Sequence, residues 1–219
     1  MITNIPCMNR ALRNLSTALG ILVGFFGLEH GVFEILQGDL PTGGMQINAI
    51  GPAQRFWAYG AEGALTVLPT FLATGVLAVI LGCLTVVWSV FFLRRAYGPW
   101  IFMGLSIGLL MGGGGIAPFA MALFIVITAT RINKPLSWWR RLPTGLTGAL
   151  GRLWPAALVA LMAWSLIMVA TGVFGYPLLL FFGAETVSLI VWALAYAFLP
   201  YLLFTIAVAF SSDVRGSPE

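Results

Sequence analysis

Five stretches of the chain, Leu15–Leu36, Ala64–Leu93, Trp100–Ile132, Leu153–Gly172 and Thr186–Phe210, are apolar over lengths that carry a helix across a bilayer, which takes about 20 residues. Backbone entering hydrocarbon must satisfy its own N–H and C=O groups, so such stretches become helices. Charge is scarce everywhere. Eleven Lys+Arg and seven Asp+Glu make 8% of the residues, where a soluble domain carries about 25%. A soluble enzyme, a nucleic-acid-binding domain and a disordered tail are all excluded. The expected fold class is all-α: an integral membrane, multi-pass helical bundle forming a single membrane domain over residues 1–219.

The third stretch is longer than one span, and Gly112, Gly113, Gly114 and Gly115 interrupt it, with Pro118 just beyond. Each glycine forfeits roughly 1 kcal/mol of helix propensity, and the proline lacks the N–H that a helix interior uses. Loop charge decides how the break is read. As one span, the stretch divides the basic residues seven to four: Arg55, Arg131, Lys134, Arg140, Arg141, Arg152 and Arg215 against Arg10, Arg13, Arg94 and Arg95. As a hairpin folding back at the glycines, it puts every basic residue except Arg55 on one side. Short loops rich in Lys and Arg stay cytoplasmic, which favours the hairpin.

About six membrane segments follow, at about 15–36, 64–93, 100–111, 116–132, 153–172 and 186–210, with both termini cytoplasmic and 211–219 a loose polar tail. Trp100–Met111 would reach only about 18 Å as a helix, short of the ~30 Å hydrocarbon core, so a re-entrant loop stays open beside two short spans. The near-absence of lysine hints at a GC-rich prokaryotic gene and hence a cell membrane. Arg10 and Arg13 before the first apolar run resemble a signal peptide, but no small-residue cleavage site follows and the run is read as a retained helix. Cys7 and Cys83 fall at depths too different for a disulfide. Trp57 and Tyr59 would anchor the second helix at the interface, and Tyr176–Phe182 would be interfacial or prolong the fifth segment. Trp138 and Trp139 beside Arg140 and Arg141 suit either an ordinary positive-inside loop or a surface facing anionic lipid across Arg131–Arg141.

Small residues recur at helical spacing. Gly20, Gly24, Gly27 and Gly31 line one face of the first segment, and Gly104, Gly108 and Gly112 repeat every four. In lipid such stripes let backbones approach closely, within one chain or in a homo-oligomer.

Ionisable groups inside an apolar run are costly and tend to face the bundle interior. Glu34 falls on the glycine stripe with His30 one turn away, so these two are expected to meet, while Glu29 points elsewhere. Glu62 would begin the second helix on the same outer side, followed by Thr66, Thr70 and Thr74, with Pro69 freeing the Leu65 carbonyl. His30, Glu34, Glu62 and Thr66 would then share a small polar chamber. It would suit a proton, cation or small polar ligand in a transport-type permease, or its groups would only satisfy one another near the interface, where Glu34 can reach headgroups and water. A divalent metal held by the histidine and two carboxylates is a further use, but one histidine and no helical His pair count against it, and no metal is assigned. No cofactor is expected either, although His30 could ligate a haem or pigment alone. The other function class is a non-catalytic membrane subunit or scaffold docking on a partner subunit through its glycine and tryptophan faces. No catalytic residues stand out: there is no His-rich box, no Gly-x-Ser-x-Gly and no paired Asp motif.

Overall fold

A computed structural model describes residues 8–55 and 60–216. Cys7, Trp57, Tyr59 and the last three residues of the expected tail lie outside the described residues. The chain is mostly helical. In order it forms α1 (Arg10–Leu36), β1 (Gln46–Asn48), β2 (Gly63–Leu65), α2 (Phe71–Phe91), α3 (Gly98–Met111), α4 (Ile116–Ala129), a 3-10 turn (Trp139–Arg141), α5 (Thr144–Arg152), α6 (Trp154–Phe174) and α7 (Tyr176–Gly216). Four of these, α1, α2, α6 and α7, are long and apolar enough to cross a membrane, while α3 and α4 are shorter apolar helices of 14 residues each.

The first helix is the hub, packing on α2, α4, α6 and α7. Leu12, Leu15 and Leu19 are fully buried, alongside Phe102 of α3, Ile125 of α4 and Leu202 of α7. Its glycines set the closest approach. A Cβ on Gly24 would stand 2.7 Å from the Gly82 carbonyl oxygen, and one on Gly31 would stand 2.7 Å from that of Gly75. Gly82 and Gly75 meet the backbone of α1 just as closely in return. Gly20 faces Ser89 of α2, and Gly27 faces Leu109 of α3. Gly108 and Gly112 face Leu81 and Leu77 of α2, but nothing stands near Gly104. The second stripe is thus only partly a packing face within the chain.

The second helix does not begin at Ala64. Residues 63–65 form β2, paired antiparallel with β1, and the helix starts at Phe71 with Thr70 accepting from the Ala73 N–H. Glu62, Thr66 and Pro69 therefore precede the helix. The Leu65 carbonyl is not freed by a helical Pro69; it accepts from the Gly113 N–H at 2.9 Å. Val67 N–H donates to Met111 O at 3.0 Å. The extended segment dips against the glycine turn and satisfies its backbone, which is the condition for irregular chain at membrane depth. Ala64 and Thr66 are buried there, while Val67 faces outward.

The end of the chain departs most from expectation. The loose tail expected from residue 211 is helical through Gly216, and Ser211 and Asp213 are buried. The seventh helix also starts early, at Tyr176, and absorbs the short 176–182 run through a break at Gly183, whose φ is 73°. Asp213 accepts from the Ala11 and Leu12 N–H groups at 2.8 and 2.9 Å. The first turn of α1 holds no acidic residue and Asn9 gives it no side-chain cap, so its orphan donors are satisfied by the far end of the chain. Asp213→Ala should destabilise the protein by about 1–2 kcal/mol, read as a lower melting temperature in detergent. An unchanged melting point would show that this clasp contributes nothing.

The same end gathers several loops. Asn9 Nδ2 donates to the Arg131 and Lys134 carbonyls at 2.7 and 2.8 Å, and Asn133 Nδ2 donates to Arg94 O at 2.8 Å. Trp138 and Trp139 pack on Phe210, with centroids 5.4 and 5.1 Å away, and Trp139 Nε1 donates to Ser211 Oγ. These two rings are tied to α7 rather than standing free.

Candidate functional site

At the opposite end of α1, the strand pair delivers Glu62. Gln37 Nε2 donates to the Ala49 carbonyl at 2.6 Å, fixing the strands to the helix end, and Ala49 N–H donates to Glu62 O at 2.8 Å. The Glu62 side chain then reaches α1, where its Oε2 lies 2.7 Å from His30 Nε2. His30 is 3% exposed. Glu29 Oε2 is 3.9 Å from the same nitrogen, and one donor atom from each of Glu29, His30 and Glu62 lies within 4.8 Å of the others.

The expected pairing of His30 with Glu34, with Glu29 turned away, is therefore corrected. Adjacent helical residues diverge by about 100°, yet the long Glu29 side chain bends back toward the imidazole once Glu62 occupies the near side. Glu34 is fully buried instead beside Gly113 and Thr74. The Thr74 hydroxyl is the nearest hydrogen-bonding neighbour of its carboxylate among the described residues. Thr74 Oγ1 hydrogen-bonds Thr66 Oγ1 (2.7 Å) and Gly112 O (2.8 Å), and Leu68 N–H donates to Thr66 Oγ1.

So the single chamber expected from the sequence divides in two: Glu29, His30 and Glu62 on one side, Glu34 with Thr66 and Thr74 on the other. The Gly112–Gly115 turn covers both. Gly113 (φ 97°) lies so close to the Glu34 carboxylate that a Cβ would collide with it, and a Cβ on Gly115 (φ 90°) would stand 2.8 Å from His30 Cε1. Positive φ and these contacts together leave only glycine at both positions. Pro118 falls in the first turn of α4, where a missing N–H costs little, and its ring abuts Gly115.

His30 and Glu62 also form the polar head of a cavity of about 450 Å³. Phe26, Met121, Phe124, Met168, Phe198 and Leu202 line its apolar part. These wall residues were illegible in the sequence, because an apolar side chain in an apolar run carries no mark of facing a cavity. No Lys or Arg lines the cavity among the described residues, and Glu62, in contact with His30, supplies the carboxylate of its lining. Ligation of a haem or pigment by Nε2 would have to displace Glu62. No metal is assigned from the sequence, where a single histidine counts against one, but the Glu29, His30 and Glu62 donors form a set that could hold a divalent ion.

No family model matches this chain, and neither a curated protein nor a solved structure is significantly similar to it.

Proposed function

We propose that the chain is a small transport-type permease of the cell membrane, binding a proton, cation or small polar ligand in the outer half of its bundle. The observation that carries this reading is the contact of buried His30 with half-buried Glu62, with Glu29 beside it, at the head of a cavity between helices. Ionisable groups so placed in a membrane protein mark ion or substrate pathways. Glu34, buried beside Thr74 one turn along α1 under broken backbone, adds a second carboxylate station at similar depth.

The proposal includes six membrane segments in one domain, with α3 and α4 as a hairpin broken at Gly112–Gly115. Each 14-residue helix reaches only about 21 Å, and the dipping 63–70 segment fills the remaining depth. Asn9, Arg94, Arg131 and Asp213 meet at one end of the bundle, while Glu62 and the glycine turn lie at the other. Even numbers of crossings between these landmarks account for that, and positive-inside charge then makes both termini cytoplasmic. Arg131–Arg141 would rest at that face against anionic lipid.

Charge displacement on solid-supported membranes tests the transport reading. Proteoliposomes of the full chain should give a transient current under an imposed proton or sodium gradient, and Glu62→Gln and Glu34→Gln should abolish it. No current from folded wild-type protein, with a stoichiometric partner co-purifying in mild detergent, would instead establish a membrane subunit or scaffold.

A further inference from the structure

We infer that the cavity headed by His30 and Glu62 takes a lipophilic organic monocation, an amphiphile whose positive group meets the acidic head while its apolar body fills the space between α1, α4, α6 and α7. This deepens the permease reading and rests on it for the role of the site. The cavity, about 450 Å³, is of the size that holds a small organic molecule.

Its two ends differ in chemistry. The head carries Glu62 and His30 with Glu29 Oε2 3.9 Å from the ring, giving two carboxylates to one imidazole. The body runs along Phe26, Phe124 and Phe198, with Met121 and Met168 between them. Phenyl faces attract organic cations, and methionine adapts to irregular shapes. A hydrated metal ion would use the head donors but would find almost no polar partners for its waters in the rest of the cavity. An anionic amphiphile would meet the Glu62 carboxylate with Glu29 close behind it, and a neutral one would leave one imidazole to serve both carboxylates.

Position agrees with chemistry. The head is carried by the loop end of the bundle, through Glu62 and Gly63, and the body descends past the start of α4 to the middle of α6 and α7 at Ser165 and Leu202. An amphiphile entering from one leaflet would lie in that direction, its polar group at headgroup depth.

The test compares tetraphenylphosphonium with tetraphenylborate, which match in size and shape and differ in sign. Full-length protein in nanodiscs should bind tetraphenylphosphonium at one site in equilibrium dialysis, with tetraphenylborate bound no better than to empty nanodiscs. Glu62→Gln should weaken tetraphenylphosphonium binding at least about tenfold. Ala120→Trp, at an exposed position on the cavity wall, should block it by filling space without touching a charge, with melting curves showing both variants folded. Equal binding of the two ions, or tetraphenylphosphonium binding indifferent to both variants, would overturn the inference. So would zinc binding abolished by Glu62→Gln but unaffected by tetraphenylphosphonium, which would assign the head to a metal. Failure here with the gradient-driven current intact leaves the permease reading standing, whereas binding without any current removes that reading and keeps the cavity's ligand.

Discussion

Gly31→Leu should prevent the protein from folding, or lower its melting temperature so far that little survives extraction into detergent, while Gly104→Leu should be nearly neutral. Both substitutions place the same apolar side chain into a glycine stripe of a membrane helix. A Cβ at Gly31 would lie 2.7 Å from Gly75 O and 2.8 Å from Val79 N, both backbone atoms that cannot rotate away. Relief requires α1 and α2 to separate, which also loosens the reciprocal Gly24–Gly82 contact. Overpacking against movable side chains costs about 1–3 kcal/mol. Against backbone the cost is set by the whole helix contact, and total stability is only about 5–15 kcal/mol. At Gly104 there is nothing within 4 Å. Comparable losses from the two variants would mean that Gly104 packs on a second copy of the chain.

Glu34→Gln should give a protein that is more stable and inactive. The carboxylate is fully buried with little beside it but the Thr74 hydroxyl, and a buried carboxylate so thinly compensated costs a few kcal/mol that the amide partly recovers. Residues kept against such a cost belong to function more often than to scaffolding. Melting temperature and gradient-driven current, measured on the same preparation, should therefore move in opposite directions. Retained current would assign Glu34 a purely structural place under the glycine turn.

Much of this was legible in the sequence, and particular residues show where legibility stopped. Glu29, His30, Glu34 and Glu62 stood out because ionisable groups are conspicuous among apolar neighbours. Their pairing did not follow, since helical spacing gives the direction in which a side chain leaves the axis and not which loop arrives to meet it. Glu62 reaches His30 because the two short strands carry it there, and three-residue strands leave almost no pattern. Ala64–Leu68 suits a membrane helix by hydropathy, which measures apolar character and cannot distinguish a lipid-facing helix from a short extended segment. Thr66, Val67 and Pro69 were the available signals: two β-branched residues and a proline are poor helix interior. Asp213 was missed for another reason. Polar termini are usually loose, and the clue lay two hundred residues away, in an α1 start with neither an acidic residue nor a capping side chain.

The account depends most on the meeting of His30 and Glu62. Because His30 is the only histidine, protein labelled with 15N-histidine gives a single imidazole signal in nuclear magnetic resonance. In nanodiscs, both ring nitrogens should report a buried imidazole with Nε2 hydrogen-bonded. Glu62→Gln should shift the Nε2 resonance strongly, Glu29→Gln should shift it less, and Glu34→Gln should shift it least of the three. A solvent-exchanging signal unmoved by Glu62→Gln, or one that responds to Glu34→Gln alone, would contradict the site.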